Sequence, residues 1–147
     1  MKIKLINMMK SQPILLGAIL ASSILFNPYI NAYAGEEHQA KIEIPATAEA
    51  IWQSIDEESQ ELSKVIEAGK WDEVHHHAFA IRDFVAALPS HSNSLPAKKL
   101  AKVKANGKFV AILAERLDMS GDAKDKSSTE SNFKKLQRVL RAIRKNY

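Results

Sequence analysis

The chain has 147 residues, with 21 basic and 17 acidic side chains and no cysteine. The missing thiols exclude a disulfide framework, a thiolate metal site and covalent c-type haem attachment. The length allows one modest domain with a real core, and not two.

The first 34 residues read as a cleavable export signal. Lys2, Lys4 and Lys10 make a positive start with no acidic residue. Residues 13–26 form an apolar run of 14 residues, Asn27 and Pro28 break it, and Ala32-Tyr33-Ala34 gives an A-x-A cleavage pattern. A spanning helix needs about 20 apolar residues, so this run is too short for a retained anchor. Lipid attachment at a cysteine is excluded as well. The expected location is the bacterial periplasm. Three lysines leave with the signal and no acid does, so 18 basic and 17 acidic side chains remain, a net charge of +1. A near-neutral domain has no global electrostatic reason to bind nucleic acid.

Residues 35–45 are polar and aperiodic and read as a flexible lead. A bundle is expected over residues 46–147. Thr47 caps a first helix that opens at Ala48, carries Ile51, Ile55, Leu62, Val65 and Ile66 on one face, and stops at Gly69. A second helix is expected over residues 71–88. Its seam, Trp71, Val74, Ala78, Ile81, Val85 and Leu88, alternates spacings of three and four, and Pro89 ends it. Pro96 suits the first turn of a third helix capped by Ser94, with Leu100, Val103, Val110, Ala114 and Leu117 as its stripe. Gly107 lies in that stripe, where a close backbone approach is expected. Gly121 opens the next loop. Ser127 and Glu130 have capping-box spacing for a fourth helix, whose stripe is Phe133, Leu136, Leu140, Ile143 and Tyr147. The expected fold is all-α: an up-down-up-down antiparallel four-helix bundle behind a cleaved signal peptide. Acids crowd the first helix and bases the last, which would attract if the two helices are neighbours.

His75-His76-His77 is the most unusual feature. Consecutive helical residues point about 100° apart, so the three cannot all bind one ion. His76 is expected to point outward, with His75 and His77 on the flanks. Glu73 precedes His77 by one turn, and Asp72 precedes His76 by one turn, so each pair could share a metal ion. With no thiolate, such a site suits Zn, Cu(II), Ni or Co. His38 and His91 sit in the lead and in a loop. Glu58 interrupts the apolar stripe of the first helix and needs a partner, and the hairpin brings it level with Arg82, so a structural Glu58–Arg82 ion pair is expected. Trp52 and Trp71 read as boundary and core residues. No nucleophile elbow or convincing carboxylate dyad is present, so no enzymatic activity is expected.

Export, length, four helices and a basic last helix together resemble the cytochrome b562 and cytochrome c′ class of periplasmic bundles. The segment from Leu136-Gln137-Arg138 to Arg144-Lys145-Asn146-Tyr147 is similar to the close of the b562 chain. The haem ligands of that class have no counterpart: the first helix lacks a methionine and the fourth lacks a histidine. The resemblance implies a haem-free relative of the fold. The text around Ala68 to Pro89 also resembles small periplasmic proteins linked to heavy-metal efflux. Three functions follow as expectations. The first is a non-enzymatic metal-binding or metal-sensing accessory using His75, His76, His77, Asp72 and Glu73. The second is a ligand-free bundle, monomeric or homodimeric, that docks an envelope partner. The third is a b-type haem bundle with displaced ligands, His75 or His77 with Met119.

Overall fold

The computed structural model describes residues 42–147. The expected signal peptide, His38 and most of the lead lie outside the described residues. The rest folds into four α-helices, with no strand among the described residues: α1 Ala48–Ala68, α2 Val74–Ala87, α3 Ala97–Asp122 and α4 Lys126–Arg144. Each helix packs chiefly on the next one in the chain, and α4 meets α1 along a shorter line. No helix among the described residues is long and apolar enough to cross a membrane.

The first helix is bounded as its sequence dictates. Thr47 is extended and its hydroxyl accepts the Ala50 N–H at 3.1 Å. Gly69 takes the left-handed conformation, its N–H donating to the Ile66 carbonyl while Lys70 donates to Val65, the Schellman pattern that satisfies the last carbonyls. Ile51, Ile55, Leu62, Val65 and Ile66 are buried, and Trp52 joins them.

The second helix is shorter than its periodicity suggests. Residues Trp71–Glu73 form a 3-10 turn, with the Val74 N–H bonded to the Trp71 carbonyl. At the other end Pro89 has no N–H to give, and Leu88–His91 tightens into a second 3-10 turn. Val74, Ala78, Ile81, Val85 and Leu88 are buried as the seam predicts. Ala80 and Phe84 are buried too, because α2 is covered by α1 on one side and α3 on the other.

The third helix differs from expectation at both ends. Pro96, not Ser94, is its half-in residue, and its carbonyl accepts the Lys99 and Leu100 N–H groups. The helix runs through Gly121 rather than stopping there. Gly121 is buried, and a Cβ on it would stand 3.1 Å from the Val74 Cβ and 3.3 Å from the Trp71 carbonyl oxygen. The close approach expected at Gly107 therefore occurs at Gly121. At Gly107 a Cβ would meet only a Val85 methyl, at 3.7 Å. Lys124 supplies the left-handed residue of the following turn.

The fourth helix is capped by Asp125 and not by the Ser127–Glu130 pair. The Asp125 carboxylate accepts the Ser128 N–H at 3.0 Å and the Ser128 hydroxyl at 2.6 Å. These bonds hold its carboxyl below the ordinary aspartate range, the side-chain bond acting most. Phe133, Leu136, Leu140 and Ile143 are buried. The attraction between the acidic first and basic last helices reduces to one ion pair, Arg144 with both oxygens of Asp56 at 2.8 Å, and the guanidinium also stacks on Trp52.

Tyr147 closes the chain. The Ser92 hydroxyl donates to the Leu88 carbonyl, so its single proton is engaged and the Tyr147 phenol must donate to Ser92 Oγ, 2.7 Å away. Burial raises the phenol pKa above its ordinary value of 10.0.

Gly107→Ala should gain about 0.5–1 kcal/mol of stability in urea denaturation, from helix propensity at a site with room for a methyl. Gly121→Ala should lose stability despite the same propensity gain, because the methyl meets the buried Val74 Cβ and a backbone oxygen. The folded state also holds the Tyr147 proton more tightly than the unfolded chain does. The stabilisation this gives is intact below pH 10.0 and is lost as pH rises through the raised folded value. Tyr147→Phe should be less stable by about 1 kcal/mol at neutral pH, for the lost Ser92 bond. That deficit should shrink above pH 10.0, measured by denaturation of both proteins across the alkaline range.

A candidate metal site at the groove between the first two helices

The seam of α2 dictates where its histidines point. Val74 and Ala78 are fully buried, so the residues between them fan out across the remaining faces of the first turn. His76 is exposed, and His75 and His77 are half-buried on either flank. They line an open groove of about 210 Å³ together with Ile42, Glu58, Phe79, Ala80 and Asp83.

The decisive contact crosses from α1 to α2. His77 Nδ1 lies 2.7 Å from Glu58 Oε2, with side-chain exposures of 24% and 31%. A carboxylate only accepts, so Nδ1 carries the proton. In the neutral ring this leaves Nε2 as the bare nitrogen, the form in which imidazole ligates metals. A carboxylate that orients a histidine from behind in this way is the usual outer partner of a metal-bound imidazole.

The expected Glu58–Arg82 pair is not formed. Arg82 Nε donates to Asp83 at 2.8 Å, and the guanidinium lies 4.4 Å from the centre of the Phe79 ring. The reason is angular. Arg82 follows His77 by five residues, which turns it about 140° around the helix axis. It lines a groove with Val103 and Lys104 of α3 instead.

The acids placed before the histidines also differ from expectation. Asp72 and Glu73 lie in the 3-10 turn, both exposed, and Glu73 holds Lys70 Nζ at 3.1 Å. Glu73 and His77 thus each have another partner. No group of three or more His, Asp or Glu side chains is arranged to hold an ion among the described residues. His75 and His76 lie ring against ring with centroids 3.8 Å apart, and His75 meets Phe79 edge-on. His91 is engaged elsewhere, its Nδ1 3.0 Å from the Ala46 carbonyl. Met119 is exposed on α3 and takes no part in the groove, so the structure does not bring it to His75 or His77.

Asp83 is the groove residue that sequence reasoning missed. It follows His76 by seven residues, which is two turns along the same face, and that spacing would have found it. Glu58 was visible as an anomaly in its stripe, but with the wrong partner. A second groove, on the α1–α4 side, is lined by Trp52, Asp56 and Arg144. There the buried Trp52 Nε1 has no hydrogen-bond partner among the described residues.

Comparisons with family models, curated proteins and solved structures find no match for this chain.

Proposed function

We propose that this chain is an exported, non-catalytic protein of the periplasm that takes up a divalent transition-metal ion at the α1–α2 groove and passes it on. In this reading residues 1–34 are removed on export, and the four helices form an up-down-up-down antiparallel bundle like those of the b562 and c′ class, without their haem. His77 Nε2 is the first ligand. Glu58 sets the ring's tautomer and orientation from the far side. Glu73 is the second ligand. It has near-helical backbone angles at the start of α2, one turn before His77, and only an exposed contact with Lys70 holds it away. Such surface pairs are worth little, so a cation displaces Lys70 at small cost. Asp72 and His76 offer a second pair of donors one face away, His75 lies on the other flank, and water fills the remaining places. Imidazole and carboxylate without thiolate suit Zn, Cu(II), Ni or Co. A ligand set this open binds with modest affinity, which fits buffering or handover, as in heavy-metal efflux, better than storage.

The observation that carries the proposal is the Glu58–His77 contact at 2.7 Å. A carboxylate in an apolar stripe, turned to a histidine whose other nitrogen is left bare, is better explained by a ligand to be oriented than by surface decoration. A second reading, a ligand-free interaction bundle, is favoured by exposed apolar side chains on α3.

Calorimetric titration of the untagged, purified protein with Zn(II), Cu(II), Ni(II) and Co(II) tests the proposal. Micromolar binding is expected for at least one ion. It should vanish in His77→Ala and in the His75/His76/His77→Ala triple variant, and weaken about 10–100-fold in Glu58→Ala, the usual cost of an outer-shell partner. Equal binding by all four proteins, or none by any, would reject the metal reading in favour of the interaction bundle.

A further inference from the structure

We infer that α3 is a self-association surface, on which a second copy of this chain docks its own α3 in antiparallel orientation. Helix α3 carries two apolar stripes where a bundle helix needs one. Val103, Val110, Ala114 and Leu117 face the core. Phe109, Ile112 and Met119 lie outside it at 56%, 45% and 70% exposure. With Ala105 and Arg116, both exposed, they follow spacings of four and three, the repeat that places side chains along one seam of a helix pair. Three large apolar side chains left in water along one line mark an interaction surface rather than scattered surface residues.

The charges beside the stripe name the occupant. The first half of α3 carries Lys98, Lys99, Lys102, Lys104 and Lys108 with no acid, while Glu115 and Asp122 lie in its second half. This order opposes the helix dipole, which favours acids at the start and bases at the end, so the helix itself gains nothing from it. Among the described residues, no ion pair engages Lys102, Lys108, Glu115 or Asp122. Parallel docking of two copies would set lysine against lysine. Antiparallel docking sets the basic half on the acidic half, twice, by two-fold symmetry. With the axis beside residues 109–112, Phe109 packs on the partner's Ile112 and Lys108 faces the partner's Glu115. Arg116 falls between the partner's Ala105 and the partner's Phe109, with room beside the first and an aromatic face on the second. A self-complementary surface of this kind recognises its own copy better than any partner of uniform charge.

The histidine groove lies between α1 and α2, away from this stripe. Metal binding and self-association are therefore separable, and α3 variants should leave metal titrations unchanged.

Sedimentation equilibrium of the purified protein and of K108E, E115K and K108E/E115K, with helix content of each checked by circular dichroism, tests the inference. The wild-type chain should be dimeric at about 100 µM in low salt, more weakly so as salt rises. Each single reversal creates two like-charge contacts and should weaken the dimer about tenfold or more, and the double reversal should restore it. Phe109→Ser should yield a folded monomer. A wild-type monomer at every concentration would overturn the proposal. So would a dimer indifferent to the single reversals, or one that the double reversal fails to restore.

Discussion

Helix α2 has to bury Val74, Ala78, Ile81, Val85 and Leu88 at once, and the rest of the architecture follows from how that is done. One helix covers each side: Glu58 of α1 reaches His77, while Gly107 of α3 lies over Val85. Gly121 of α3 lies over the start of the helix, where a Cβ would crowd Val74 and the Trp71 carbonyl. With Val74 and Ala78 fixed inward, the three histidines between them have no freedom to choose their directions. His77 faces α1, His76 faces solvent, and His75 takes the other flank. The chemistry of the groove is thus set by core packing, not by the histidines themselves.

Glu58 is the point at which packing and chemistry meet. A carboxylate in the stripe between Ile55 and Leu62 would be costly if fully buried and unpaired. It is neither. It sits at the groove's edge, partly in water, and accepts a proton-bearing nitrogen from the facing helix. The carboxylate holds one side of the ring by accepting from Nδ1. Arg82, the more obvious charge partner, is engaged instead by Asp83 and Phe79.

Much of the fold was legible in the sequence, because spacing and caps are local signals. The α1 stripe, the Thr47 cap and the Gly69 stop stand where the residues put them, and so do the α2 and α4 stripes except at their ends, where Trp71 is half-buried in the 3-10 turn and Tyr147 is exposed beyond the helix. The directions of the three histidines were legible too, since they depend only on the seam. The failures share a physical cause. Gly121 reads as a loop residue until the neighbouring helix is present to require it, and Gly107 reads as a close contact until the neighbour proves to be a single methyl. The 3-10 turn at Trp71–Glu73 is invisible to a pattern with a period of 3.6. Asp125 wins the cap of α4 over Ser127 because its carboxylate reaches both the N–H and the hydroxyl of Ser128. Height along the helix pairs Glu58 with Arg82, but the flank of α2 that faces Glu58 is that of His77.

The metal reading rests on His77 carrying its proton on Nδ1, toward Glu58, with Nε2 bare. Long-range proton–nitrogen NMR of the histidine rings reads that tautomer directly. His77 is expected in the Nδ1–H form when neutral, with its Nε2 resonance the one that moves most as Zn(II) is added. A neutral His77 in the Nε2–H form, or an Nε2 resonance that stays in place while the ion is added, would contradict it.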